Sequence, residues 1–309
     1  MDPILHFFSN LDLNSFFKLS IQQQHTPNPS GTFETGGIGE PKFEVDGSAF
    51  QGSWGRPQND GPALRSLTAV LYMQHILTTR SESDDASKSF CFQHLWSSGS
   101  SQDDRLLIRD DLDYICREWK GKTFELWEEV CADAGQGGGH FHVLMTQRRA
   151  LLEGAKLAGR AECKDQEQVA KWTGAARDIT QRLERFWNPE GKLELEGGPK
   201  EGDNIKWDDE RHLDAIPKTV LSAPHVVPTL NRVSGQPKPT QADCAVLLAF
   251  THGWDGSVGD KTDDTWEPWS ERCLATLNRN IDVFAAVYPL NKGRKAADGV
   301  LCGRYPEVS

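Results

Sequence analysis

The chain has no run of about 18 consecutive apolar residues, so no part of it is built to cross a bilayer as a helix. Clustered basic residues are missing as well. With 34 Lys and Arg against 45 Asp and Glu, the formal charge is -11, and the sequence pI is near 5.3. Binding to phosphate backbones or anionic lipid needs grouped Lys and Arg, so nucleic-acid and membrane partners are excluded. No CxxC pair occurs among the seven cysteines: Cys91, Cys116, Cys131, Cys163, Cys244, Cys273 and Cys302. An odd, scattered set of this kind reads mostly as buried apolar thiols. No Asn-x-Ser/Thr sequon occurs once the proline-containing "NPS" at Asn28 is set aside. The opening "MDPILHFFSNLDL" has an early Asp2 and a short apolar patch at Ile4–Phe8, without the basic start and longer core of a signal peptide. Alternating strand-type runs are scarce, and "KFEV" (Lys42–Val45) is the best short candidate.

What is present is helical periodicity, acidity and tryptophan. Apolar residues recur at helical spacing over Ala63–Thr79, Ile108–Trp119, Phe141–Ala158, Val169–Phe186 and Cys273–Tyr288, with a shorter apolar stretch at Asp243–Phe250. About six helices of three to five turns are predicted. Gly/Pro/Ser-rich loops separate them, and a long polar stretch over about 188–239 reads as a solvated insertion. Ten tryptophans in an acidic chain suit an uncharged ligand with apolar faces, such as a sugar ring, although Trp also fills cores. His140-x-His142 has no evident third ligand, and "GQGGGH" (Gly135–His140) lacks the lysine of a phosphate loop. Neither a metal nor a cofactor is expected.

Carboxylates crowd one place: "FELWEEV" (Phe124–Val130) sets Glu125, Glu128 and Glu129 around Trp127. Paired glutamates alone are most often a solvated helix face. Here they follow "GIGEPKFEVDGSAFQGSWGRPQNDGPALR" (Gly37–Arg65) and precede "QRRALLEG" (Gln147–Gly154), "FWNPEGKL" (Phe186–Leu193) and "GRYPE" (Gly303–Glu307). These five landmarks, in this order, resemble the glucoamylases, the glucan 1,4-α-glucosidases of glycoside hydrolase family 15. The resemblance covers roughly residues 26–307 and leaves residues 1–25 unmatched, with 26–309 expected to be a partial catalytic domain.

The resemblance implies an all-α, incomplete (α/α)6 toroid. It also implies inverting exo-hydrolysis of α-1,4 and α-1,6 glucosidic bonds at the non-reducing ends of starch, glycogen or malto-oligosaccharides, releasing β-D-glucose. By position, Glu128 matches the general acid and Glu129 a carboxylate that bonds sugar hydroxyls. Trp54 and Trp127 match pocket tryptophans, and Arg304 matches a sugar-binding arginine. Glu125 stands where the family has an assisting Asp, one methylene shorter. An inverting site needs an acid and a base about 6.5–9.5 Å apart, and the acid must hold its proton near working pH. Crowding around Glu128 is expected to help it do so.

The family's base lies on a late helix after the "GRYPED" landmark, and its Trp-x-Arg-Asp motif lies before "NPSG". Neither is found here, and the sequence departs from the pattern at "GRYPEVS". The hexanucleotide GTAAGT, a common intron donor, encodes Val-Ser in frame. Val308–Ser309 are therefore expected to be translated intron, and the unmatched N-terminus and the additional "CADAGQ" (Cys131–Gln136) are expected to have similar origins. Secretion and a monomeric state are implied by the resemblance alone. Two classes stay open: a glucoamylase, or a non-catalytic glucan-binding or scaffold remnant.

Overall fold

The computed structural model describes residues 13–78, 85–96, 106–193, 214–255, 266–294 and 296–306. Its contacts divide the chain into two compact units, one of residues 1–118 with 150–176 and the other of residues 119–149 with 177–309.

In the first unit, α1 (Leu13–Gln24), α2 (Asp60–Thr78), α3 (Asp85–Phe90) and α4 (Leu107–Glu118) accompany the second half of α5 (Phe141–Ala158) and the first half of α6 (Gln166–Leu183). Helix α4 is the most amphipathic. Leu107, Ile108, Leu112 and Ile115 face inward with Asp111 among them. Burying that carboxylate is costly unless it is fully bonded. Arg65 supplies a fork, with Nε to Oδ2 at 2.9 Å and Nη2 to Oδ1 at 2.6 Å. Gln24 adds Nε2 to Oδ1 at 2.7 Å, tying α1 to α4. Trp172 packs edge-on against Trp96 with centroids 5.7 Å apart and donates its indole N–H to Asp113.

The second unit holds the other halves of α5 and α6, α7 (Lys218–Leu221), α8 (Cys244–Gly253), α9 (Glu271–Val287) and three small sheets. Phe141 is the hub of its core, with Phe186, Phe250 and Trp266 rings 5.7, 5.5 and 5.1 Å away. Aromatic edges meeting faces add to plain area burial. Strands β1 (Lys122–Phe124), β2 (Val130–Asp133) and β7 (Arg232–Gly235) form an antiparallel sheet in the order β1-β2-β7. The remaining pairs are β3 (Gly139–His140) with β6 (Thr229–Leu230), and β4 (Trp187–Asn188) with β5 (His225–Val226).

The structure corrects the sequence reading in several places. Lys42–Val45 forms no strand. Phe43 and Ala49 make one isolated bridge, because Asp46-Gly47 turns the chain at once, with Gly47 at φ 85° and Asp46 accepting from Ser48 N. Cys131–Asp133, in the segment expected to share an intron origin, forms part of the central strand of the three-stranded sheet. The most charged part of the expected insertion, 194–213, lies outside the described residues, as do Glu307, Val308, Ser309 and the first twelve residues. Downstream of it, His225–Gly235 is built into all three sheets.

Candidate active site

The Glu125–Glu129 segment is the loop of the β1–β2 hairpin, not a helix face. Glu128 N donates to Glu125 O at 2.9 Å, closing a tight turn, and Glu125 N donates to Val130 O at 3.0 Å. Closing so short a loop forces Glu128 into the left-handed region at φ 66°. That conformation costs a residue with a side chain roughly 1–2 kcal/mol. It is held because strands on both sides of the turn are paired.

The three carboxylates of this turn have different fates. Glu125 folds back and is buried; its Oε1 accepts from Glu129 N and Val130 N at 3.2 and 3.3 Å, and its Oε2 accepts from Lys238 at 3.3 Å. Burial pushes this carboxyl above its ordinary range, against the pull of Lys238. Glu129 has both oxygens engaged, Oε1 by Arg304 Nη1 and Oε2 by the Tyr305 hydroxyl. Each oxygen keeps a second lone-pair site for a further donor. Burial, the bond to Glu129 and its negative charge hold the Tyr305 phenol well above its usual range. Glu128 is half-exposed at the tip, and among the described residues its carboxyl makes no hydrogen bond or ion pair.

Lys238 joins this turn to α8. It bonds Asp243 Oδ2 as well as Glu125, and its ammonium lies 4.1 Å from the Tyr305 ring centre. Burial alone would lower its pKa; the Asp243 and Glu125 charges outweigh burial and hold it above the ordinary lysine value. Asp243 caps α8 by accepting from Ala245 N at 2.7 Å, and the same Oδ1 accepts the Trp127 indole N–H at 2.9 Å. Sequence reasoning assigned neither Lys238 nor Asp243 to the site. Asp243 carried a legible sign, an N-cap residue before an apolar helix. Lys238, in the loop "QPKPTQAD", carried none.

Five expected residues, Glu125, Trp127, Glu128, Glu129 and Arg304, are therefore brought together in the second unit. The sixth, Trp54, lies in the first. Its loop is closed by Arg56, whose Nε bonds both Glu40 oxygens at 3.0 and 2.8 Å and whose other nitrogens reach Gly52 O and Phe50 O. That fork accounts for Glu40 and Arg56 in their matching motifs. Trp54 is partly exposed, with Phe50 edge-on at 5.9 Å and the Lys42 ammonium 3.2 Å from its ring centre.

His140 and His142 bond to different neighbours. His140 bonds Thr229 Oγ1 and Thr123 O from the end of β3, while His142, in the first turn of α5, meets His252 at 3.1 Å. Among the described residues no group of three or more His, Cys, Asp or Glu could hold a metal ion, and no helix is long and apolar enough to cross a membrane.

Comparison with known proteins places these features among the glycoside hydrolases. Residues 9–309 match the family described as glycosyl hydrolases family 15, and the chain belongs to that family. It is 31% identical over 295 residues to "Glucoamylase 1" of Rhizopus oryzae, covering 96% of this chain and 38% of that protein. To "Glucoamylase" of Blastobotrys adeninivorans it is 33% identical over 300 residues, covering 96% and 39%. A solved structure, the family 15 glucoamylase of Hypocrea jecorina, superposes with a TM-score of 0.70 at 26% identity, covering 96% of this chain and 39% of that one. The all-α fold class of the family 15 type expected from the sequence agrees with these matches. The chain spans about two fifths of the length of these relatives.

Proposed function

We propose that this chain carries the acid side of a glucoamylase site, in which Glu128 protonates the leaving oxygen of a glucosidic bond. The observation that supports this most directly is the division of labour on the hairpin. Glu125 is spent on backbone amides and Lys238, Glu129 is anchored by Arg304 and Tyr305, and of the three only Glu128 presents a carboxyl unengaged among the described residues, at a turn held in a costly conformation. Such strain concentrates where function needs a side chain aimed outward.

In this reading Glu129 and Arg304 bind hydroxyls of the sugar beside the cleaved bond. Glu125 assists as a positioning residue that fixes the turn, Trp127 offers a ring face to sugar, and Trp54, in the first unit, is a separate ring suited to sugar by its matched position. The substrates are the non-reducing ends of starch, glycogen or malto-oligosaccharides, cut at α-1,4 and α-1,6 bonds with inversion to β-D-glucose in a secreted setting. Inverting chemistry also requires a base to activate water. We assign that role to no residue placed here.

The experiment is glucose release from maltotriose by the purified 309-residue chain, beside direct measurement of maltotriose binding. A missing acid or base costs about 10²–10⁴ in rate. Binding with little or no release is the expected result for this chain alone. Robust release abolished by Glu128→Gln would show that the chain holds its own base; robust release unaffected by Glu128→Gln would sink the assignment of the acid. Neither binding nor release would remove the sugar site altogether.

A further inference from the structure

All seven cysteines are free thiols, and two of them lie on segments joined by a backbone hydrogen bond. Cys244 is the first residue of α8, directly after Asp243, and Cys302 stands two residues before Arg304. Their backbones are tied where Cys244 N donates to Arg304 O at 2.8 Å. Cys302 Sγ lies 3.6 Å from Val300 O, and the two thiols are near enough to shift each other's titration in opposite directions. Cys302 is exposed and Cys244 half-buried, whereas Cys91, Cys131, Cys163 and Cys273 are buried.

We propose that Cys244 and Cys302 are a reactive thiol pair that a low-molecular-weight disulfide converts into an intramolecular disulfide, Cys302 attacking first and Cys244 resolving. The Cys302 thiolate attacks one sulfur of the small disulfide. That S–S bond breaks, a protein–small-molecule mixed disulfide forms, and the departing thiolate takes up a proton. Cys244 then gives up its proton, and its sulfur attacks Cys302 Sγ, expelling the second small thiol. Two protein thiols are oxidised, one small disulfide is reduced to two thiols, and both protons leave with those thiols.

Three features set this order. Access favours Cys302, the exposed partner. The interaction with Cys244 outweighs partial burial and lowers the Cys302 thiol below its ordinary value, which favours its thiolate. Cys244 is pushed the other way, by the same interaction and by burial, and serves as the second thiol. Burial pushes Cys91 and Cys163 up to about 12 and leaves them inert by comparison. The new bond would fasten the first residue of α8, next to its cap Asp243, to the segment that carries Arg304 and Tyr305. Oxidation of this pair therefore bears on the partners of Glu129, and it requires nothing of the proposed acid.

The test uses the reduced 309-residue chain incubated with oxidised glutathione near neutral pH. The reaction is quenched with acid, free thiols are alkylated in denaturant, and unreduced peptides are mapped by mass spectrometry. The expected result is one cross-link joining the Cys244 and Cys302 peptides, the loss of two alkylatable thiols, and alkylation of the other five of seven. In Cys244→Ser, glutathione stays on Cys302; in Cys302→Ser, Cys244 takes up none. The wild-type map alone can overturn the proposal. Glutathione remaining on Cys302 without a cross-link would do so, as would Cys302 joined to another cysteine, or no reaction at either thiol.

Discussion

The Trp127 indole N–H donates to Asp243 Oδ1 at 2.9 Å, joining residues 116 positions apart. The same aspartate caps α8 and accepts from buried Lys238. Asp243→Ala therefore removes three partners at once and leaves Lys238 with Glu125 as its remaining carboxylate. Loss of an N-cap costs about 1 kcal/mol, and breaking a buried ion pair about 3–5 kcal/mol. The effects overlap, so a total of about 4 kcal/mol is expected. Trp127→Phe, which gives up one hydrogen bond, should cost about 1 kcal/mol. Equilibrium urea unfolding read by circular dichroism would rank the two; equal costs would show that Asp243 is not the joint of this network.

Glu128 sits at φ 66° without a glycine's freedom. Replacing it by Gly relieves a left-handed residue, an effect of about 1 kcal/mol. Glu128→Gly should therefore raise the melting temperature while removing the proposed acid. Glu128→Gln should leave stability near wild type, because among the described residues the carboxyl makes no bond to lose. Thermal unfolding of both variants checks this, and a destabilised Gly variant would mean that the carboxyl supports the hairpin.

Helices were legible where a stripe of apolar residues meets a core. The bounds of α5 match the predicted Phe141–Ala158 at both ends, and α2, α4, α6, α8 and α9 fall on their predicted stretches. Helix α1 was missed because its inward face mixes Phe17 and Ile21 with Ser20 and Gln24, and Gln24 is buried to bond Asp111. The hairpin of the site was hidden for another reason: strands of three and four residues are too short to show alternation. Its five-residue loop reads locally as a helix face. Resemblance to a family grouped Glu128, Glu129 and Arg304. The pairing of Glu129 with Arg304 and Tyr305 depends on folding that brings residues about 175 apart together, which no local pattern encodes.

Gly235 tests the scaffold behind the turn. It has φ 92° in β7 and pairs with Val130 in β2. A Cβ there would lie 2.0 Å from Glu129 O and 2.8 Å from Val130 Cα, both backbone atoms that cannot swing aside. Gly235→Ala combines backbone strain with overpacking and should cost about 3 kcal/mol or more. It should also displace Glu128 and Glu129, so maltotriose binding should weaken more than in Gly174→Ala, where a Cβ meets nothing within 4 Å. Calorimetric titration of the two variants makes the comparison; equal binding would uncouple the β2–β7 pairing from the site.

Asp110 in α4 gives the first unit a pH dependence of known sign. Burial first, and then the Asp111 charge, push its carboxyl from 3.8 up to about 7, while Leu106 N, donating at 3.2 Å, pulls the other way. His25 Nε2 also lies 3.2 Å from Oδ2. With the carboxyl neutral, this contact is a hydrogen bond rather than an ion pair. A carboxyl raised in the folded state binds its proton more tightly folded than unfolded. Its stabilisation is full below the unfolded value near 3.8 and is lost as pH rises through about 7. About three pKa units at about 1.4 kcal/mol each give a change on the order of 4 kcal/mol. Asp110→Asn imitates the neutral form and should flatten this contribution. Urea unfolding of both proteins between pH 4 and pH 8, at one ionic strength, reads the difference. The wild type should lose stability relative to the variant as pH rises. Parallel curves would mean that His25 keeps Asp110 ionised throughout.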